Sequence, residues 1–586
     1  MKKYIFKLSF FIAIIMSSFS CNNLDLKSLD QADSDNWFSN NEQFRQSLND
    51  GYRGDFWPDL IVGDEYEWSD DMQARNTTTS INTGTIDADN TTVRTWWANT
   101  YKGITRSLVI IQELDNQKTL SPADEKQFRG EANFLRACYY SFLITNWGDV
   151  PFYEKPLTID ESYELNRTNK NDILKKIYEY FDIAIANLPV SYGTGFRYAT
   201  KGAALAYKAR IALYMGDYAT AATASKACMD LGAYTLHPNY GDLFLPPTKN
   251  SKETVFAIPR NKALDVILVA RAAQKLVPRT LGGFGQEQPT WQLLAAYQCK
   301  DGLPIDKSPL FDPRNPFKNR DPRCAMTIVP FGSLTDGDGL LPSSGSRHLD
   351  IEYNPHPTMK RIMDYKTGAL RTNNDTRSIV QWASFNGLYW KKGIDLSYVD
   401  LKTDPDRLLM RYADVLLMYA EAKIELNQLD ASVLDAMNLV RARAYSSAAY
   451  PKITTLNQAQ LRKEVRYERR VEFPHEGLRW FDLVRWRLAE KALTGNIYGM
   501  LDVVANANTA VPPTGPIMDI LVKPGLWFWG LTPTIGDDGL PNLDNLYNAG
   551  LSRVLTTMKF DKKAYLLPIP NPERDIMPQL TQNPGY

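Results

Sequence analysis

KGAALAYKARIALYMGDYATAATASKACMD, residues 201 to 230, decides the fold. Small residues run through it. Met215-Gly216-Asp217 interrupts the run, and a second Ala-rich stretch follows. Alanine at this density lets two helices approach closely, and so short a break makes them neighbours. The stretch predicts a helix–turn–helix hairpin of the tetratricopeptide-like kind. LLMRYADVLLMYAEAKIELNQLDASVLDAMNLVRARA, from Leu408 to Ala444, predicts a second hairpin. Its Tyr412, Val415, Leu416, Tyr419 and Ala420 fall on one helical face. The spacing between the two units is irregular, which argues for separate hairpins and against a strict repeat array.

Upstream of the first hairpin, Asn36 to Tyr52 and Val93 to Leu114 read as helices. The Gly, Asp, Asn and Thr between Trp57 and Thr92 read as loops. In SPADEKQFRGEANFLRACYYSFLITNWGDVP, Ser121 is an N-cap with Pro122 at the first helical position. Phe134, Ala137, Cys138 and Phe142 keep helical spacing until Gly148 and Pro151 stop the helix. From Gly232 to Asp406 the chain is rich in Gly, Pro, Asn and aromatics. Thr254 to Pro259 reads as a strand and much of the rest as long loops, where binding is usually placed. Leu501 to Tyr586 is similarly irregular.

At the N-terminus, Lys2, Lys3 and Lys7 precede an apolar run from Leu8 to Met16, then Ser17, Ser18, Ser20 and Cys21. A positive start, a short apolar run and small residues make a secretory signal peptide over residues 1 to 20. The run is too short to span a hydrocarbon core of about 30 Å. MSSFSCNN, residues 16 to 23, resembles a bacterial lipoprotein signal, although Ser18 and Phe19 depart from the usual pattern. It predicts cleavage before Cys21 and acylation there, since more than one acyl chain gives stable anchoring. The other cysteines, Cys138, Cys228, Cys299 and Cys324, are far apart and predict no disulfide framework. Cys138 and Cys228 lie in helical patterns and are expected as buried free thiols.

The chain has 586 residues, 44% of them apolar, enough for a large core. Lys+Arg and Asp+Glu both number 67, so the net charge is zero, which argues against nucleic acid as a partner. The 13 Trp, 31 Tyr and 24 Phe provide flat surfaces suited to sugar rings. Enzyme readings find little support. The four histidines, His237, His348, His356 and His475, have neither HExxH nor zinc spacing. No GxSxG elbow or P-loop occurs, and no motif points to the opposed carboxylates of a glycosidase. LTDGDGL, residues 334 to 340, lacks full calcium-loop spacing and reads as a turn. No cofactor and no metal ligand set is expected, with a structural calcium ion left open. In RYERRVEFPHEGLRWFDLVRW, the mixed charges of Arg469, Glu472, Glu476, Arg479 and Asp482 predict an ion-pair network holding two helices. His475 there is expected to be structural.

Several stretches in order resemble the SusD/RagB family of Bacteroidetes outer-membrane lipoproteins. They are Cys21 with Leu24-Asp25, TWWANTYKGI, GEANFLRACYYSFLITNWGDVPF, AALAYKARIALYMGDY, NPFKNRDPR, RYADVLLMYAEA with NLVRARA, RYERRVEFPHEGLRWFDLVRW, and YLLPIPNPERD with LTQNPGY. EFPHEG departs from the family's usual apolar pair before Glu-Gly. The resemblance implies a mainly α fold: a superhelix of tetratricopeptide-like hairpins with an irregular, loop-rich second half. It divides the chain into a helical region over 21 to 231 and a region over 232 to 586 with the ligand loops. It further implies a surface lipoprotein that is not an enzyme. Such a protein captures glycan, or peptide in some members, and passes it to a SusC-like TonB-dependent transporter. A scaffold that binds only proteins is the alternative from another class.

The binding candidates are spread over both halves. Trp96 and Trp97 point about 100° apart on a helix. The family usually keeps a Trp four residues before a Tyr, which assigns Trp97, with Tyr101, to packing. Trp96 is then expected at the surface, with Asn99 on the same face as a hydrogen-bonding amide. Asp70 and Arg75, in the preceding loop, are expected to bind hydroxyls through charge-assisted bonds. In the second half the candidates are Phe284 among the glycines of LGGFGQEQPT, Tyr297, Arg371, and Trp382 and Tyr389 flanking SFNG.

Overall fold

The computed structural model describes residues 37–57, 68–75, 78–193, 198–332, 347–357, 359–446, 449–501 and 529–586. The expected signal peptide, Cys21 and the LTDGDGL loop lie outside the described residues.

The first half is built from helices Asn41–Gly51, Thr91–Asn116, Pro122–Trp147 and Lys170–Asn187, followed by the hairpin Lys201–Met215 and Tyr218–Asp230. The sequence cues act where they were read. Ser121 accepts a hydrogen bond from the Asp124 amide, Pro122 opens the helix and Gly148 ends it. Gly216 turns the hairpin in the left-handed region at φ +80°, a conformation that costs glycine little. Ala203, Ala204, Ala206, Ala209 and Ala212 are fully buried, so the helix Lys201–Met215 sits tightly among its neighbours. The second hairpin, Tyr412–Glu425 and Ala431–Ala444, packs on Tyr218–Asp230 and on the later helix Gln458–Glu472. Its expected start needs correcting: Leu408 to Arg411 belong to the strand Arg407–Arg411, which pairs antiparallel with Thr254–Ile258.

Irregular chain dominates the rest, with short antiparallel ladders. Met72–Ala74 pairs with Glu287–Pro289. A four-stranded sheet includes Arg361–Asp364 and Ala369–Thr372. The main core joins the N-terminal helices to Phe256, Met410, Val415, Leu567 and Ile569, so residues on both sides of position 231 share it. A second core gathers Trp291, Trp390, Trp529 and Tyr297 under the loops. Cys138, Cys228, Cys299 and Cys324 are free and buried. No described helix is long and apolar enough to cross a membrane.

The mixed charges of residues 466 to 486 form the expected ion-pair network, which reaches well beyond two helices. Arg411 bonds Glu253, Glu472 and Glu476, each at 2.7 Å. Arg323 bonds Asp321, Glu468 and Glu472. Arg469 bonds Asp414 at 2.7 Å and Asp482 at 2.9 Å. Burial by itself would raise the Glu472 pKa, but Arg443, Arg411 and Arg323 outweigh it and hold the carboxyl at about 2. His475 lies flat on Trp390, ring centroids 4.6 Å apart, as a packing residue.

Candidate ligand-binding site

The ladder between Met72–Ala74 and Glu287–Pro289 brings Arg75 to the glycine-rich loop that contains Phe284. The Arg75 amide donates to the Gln286 carbonyl at 2.8 Å. Its guanidinium Nη1 donates to the Phe284 carbonyl at 2.6 Å and to the Trp382 carbonyl. One side chain thus ties together two loops that are distant in sequence. The same guanidinium lies 5.6 Å from the centre of the Trp382 ring and 5.9 Å from that of Phe385.

Trp382 is 43% exposed, and it is the one exposed tryptophan among the described residues. Its ring stacks on Phe385, centroids 6.3 Å apart and planes 23° apart. Arg377 and Arg553 also approach Phe385, at 4.2 and 5.3 Å from the ring centre. Below lies a polar support. Tyr389 Oη donates to Asp375 Oδ1 at 2.8 Å, and Asp375 also accepts the Arg279 and Thr280 amides at 2.8 and 3.2 Å. Burial raises the pKa of both Asp375 and Tyr389. Gly285 has φ +50°, and a Cβ there would sit 2.4 Å from Tyr389 Oη, so the loop needs glycine to close over the phenol. Arg371 donates to the Thr280 carbonyl at 3.1 Å and to Asp364 at 3.3 Å.

The structure therefore places Arg75, Phe284, Trp382 and Tyr389 on adjoining loops and Arg371 beside them on the strand Ala369–Thr372, with Tyr389 fully buried as support and not at the surface. The other candidates need correction. Asp70 is 2% exposed and bonds Arg470 at 2.7 Å and Arg479 at 2.7 Å. Burial would raise its pKa, but the two guanidinia prevail and hold the carboxyl at about 2, so Asp70 is a structural anchor. Trp96, expected at the surface, is buried against Trp68 and Phe142, ring centroids 5.2 and 5.4 Å away. Both sides of its helix are covered, one by the segment that carries Trp68, so two adjacent tryptophans can both be inside. Trp97 packs on Trp147 as expected. Asn99, partly exposed, lacks the Trp96 platform expected beside it. Tyr297 is fully buried in the second core.

Sequence reasoning missed Phe385, Arg377, Arg279 and Arg553. Phe385 carried a signal, three residues after Trp382 in the SFNG turn. The arginines carried none, because arginine is frequent throughout the chain.

A cavity of about 200 Å³ lies elsewhere, between helices Pro122–Trp147 and Lys201–Met215 and strand Arg407–Arg411. Its lining is mainly apolar, with Trp57, Tyr139, Tyr207 and Phe481. Of its charged members, Arg210 and Lys392 are engaged by Asp414 and Glu476, each at 2.6 Å. Among the described residues no group of His, Cys, Asp and Glu is arranged to hold a metal ion. An exposed indole flanked by guanidinium donors suits a ring that is apolar on one face and bears acceptors on its rim.

Comparison with known proteins fits this architecture. The family described as the SusD family matches residues 252–519. That described as starch-binding associating with outer membrane matches residues 29–213. SusD-like protein P25 of Formosa agariphila is 25% identical over 395 residues, 67% of this chain and 69% of that protein. SusD-like protein P2 of the same organism is 23% identical over 542 residues, 88% of this chain and 97% of that protein. The crystal structure of a SusD-like carbohydrate-binding protein from Bacteroides fragilis superposes with a TM-score of 0.73 at 26% identity, covering 93% of this chain and 99% of that one. With both halves matched in order and the fold shared almost end to end, this chain belongs to the SusD/RagB family.

Proposed function

We propose that the chain is a glycan-capturing lipoprotein, anchored through acyl groups on Cys21 at the outer-membrane surface. It passes its ligand to a SusC-like TonB-dependent transporter and breaks no bond in it. The observation that carries the capture reading is Trp382, the exposed indole stacked on Phe385 and bordered by Arg75. The Bacteroides fragilis relative described as carbohydrate binding supports it, and the starch-binding, outer-membrane description of the family matched at residues 29–213 supports both ligand and location. The site residues proposed are Trp382, Phe385 and Phe284 for contact with sugar rings and Arg75 and Arg371 for their hydroxyls or charges.

Peptide capture, the other activity implied by the family, wants backbone groups free to pair with a peptide. Here the Phe284 and Trp382 carbonyls are taken by Arg75, which favours a ligand bound through side chains. The test is isothermal titration of residues 22–586 against polysaccharides and peptide mixtures, with Trp382→Ala alongside. Saturable heat with a polysaccharide, lost in the variant, supports glycan capture at this site. Heat from peptides alone replaces the reading with the peptide one. Reducing sugar released by the purified chain would make it an enzyme.

A further inference from the structure

Resting on the capture reading, we infer that the glycan is anionic: its carboxylate or sulfate-ester groups dock on Arg75 and Arg279 beside the Trp382 ring. The contrast with the buried network around Glu472 motivates this. Arg323, Arg411, Arg443 and Arg469, all buried, are matched with carboxylates. Among the described residues, Arg75 and Arg279 have no carboxylate within ion-pair distance of their guanidinium groups. Arg75 is about half buried and spends its bonds on carbonyl oxygens, and its Nε has no hydrogen-bond partner.

The surroundings add positive charge. Burial lowers the Arg75 pKa, and Arg279 and Arg377 lower it further as like charges nearby. Arg377 and Arg553 approach the Phe385 ring on which Trp382 stacks. Asp375, the carboxylate of this cluster, is buried behind Tyr389 and already accepts three hydrogen bonds. Asp364 is held by Arg371. Partly buried guanidinium without a counter-ion is costly, and a neutral sugar provides only hydroxyl dipoles. A carboxylate or sulfate ester provides the missing charge and accepts charge-assisted N–H bonds from the guanidinium groups. The indole then stacks on the ring that carries the acid.

The experiment is a binding screen of residues 22–586 against polysaccharides in matched pairs. These are polygalacturonate with its carboxyl-reduced form, sulfated galactan with its desulfated form, and neutral β-glucan and xylan. Binding to an acidic member is expected, weakening about tenfold between about 50 and about 300 mM salt as screening grows. It should fall at least about tenfold in Arg279→Gln with the melting temperature unchanged. Loss on carboxyl reduction identifies a uronate ligand, and loss on desulfation a sulfate ester. Salt-independent binding to a neutral glycan overturns this inference and leaves the capture reading standing. Anionic binding undiminished in both Arg75→Gln and Arg279→Gln also overturns it. Binding to none of the glycans overturns the capture reading and the inference with it.

Discussion

Two sets of arginines differ in their partners. Around Glu472 the guanidinia of Arg323, Arg411 and Arg443 converge on carboxylates in the buried interior. Around Trp382, Arg75 reaches carbonyl oxygens and the faces of rings. The first set has its charge balanced within the chain and holds segments from Glu253 to Glu476 together. The second is open to a charge from outside. Arginine content alone separates scaffold from site poorly; the partners of a guanidinium separate these two sets only together with its exposure, since Arg320 also bonds carbonyl oxygens but is 2% exposed.

The comparison breaks most visibly at Glu472. Glu472→Ala takes one carboxylate from each of three buried arginines, Arg323, Arg411 and Arg443, and removing one partner of a buried pair costs about 3–5 kcal/mol. The expected result is loss of most soluble chain or a large drop in melting temperature, read by circular dichroism. A melting temperature within a degree of wild type would show that the network is not holding the fold.

Trp96→Ala should rank next, at about 3–5 kcal/mol of stability for a buried indole. Chemical denaturation measures it, and the folded fraction should keep its glycan affinity. Acid sharpens the contrast in the same way. Asp70, Asp414 and Glu472 are held at about 2 by their arginines, below their ordinary values. Their contribution is therefore present above about pH 4.5 and lost as pH falls toward 2. Burial holds His348 and His475 at about 3, so each stays neutral in the folded chain while the unfolded chain takes up protons below about pH 6.5. Melting temperature should fall from pH 6.5 downward, more steeply below 4.5. A flat profile between pH 7 and 4 would contradict this.

Trp382→Ala is the mirror of Trp96→Ala. Stability should change by less than about 0.5 kcal/mol, because the ring is exposed. Glycan affinity should fall about tenfold, the worth of one stacked aromatic. Titration and melting on the same preparation separate the two. Equal stability losses in the two variants would end the distinction between an inward and an outward tryptophan.

What was legible in the sequence follows the range over which each feature acts. The first hairpin could be read because alanine density and Gly216 are local. The network at residues 466–486 could be read because opposite charges alternate at helical spacing. Trp96 could not be placed, because Trp68 and Phe142 cover it from other segments. Asp70 reads as a hydroxyl-binding loop carboxylate because its partner Arg470 lies 400 residues away. Arg75, Phe284 and Trp382 could each be suspected from residue type and loop context. Their meeting depends on a strand pairing across more than two hundred residues, and hydrophobic patterning does not encode such pairings.

The end of helix Pro122–Trp147 bears on how the chain folds. The Asn146 carbonyl accepts the Leu567 amide, and the Trp147 carbonyl accepts Asn583 Nδ2, 436 residues onward. The Trp147 indole donates to the Pro568 carbonyl at 2.9 Å. Closing a loop of that length costs roughly 5 kcal/mol of chain entropy by logarithmic scaling. During synthesis the helical half exists long before the residues that complete it, with carbonyls and apolar surface uncovered. Such high contact order makes for slow, late consolidation and for intermediates open to proteases and aggregation. The final twenty residues thus act as a latch, and the nascent chain stays vulnerable until they arrive.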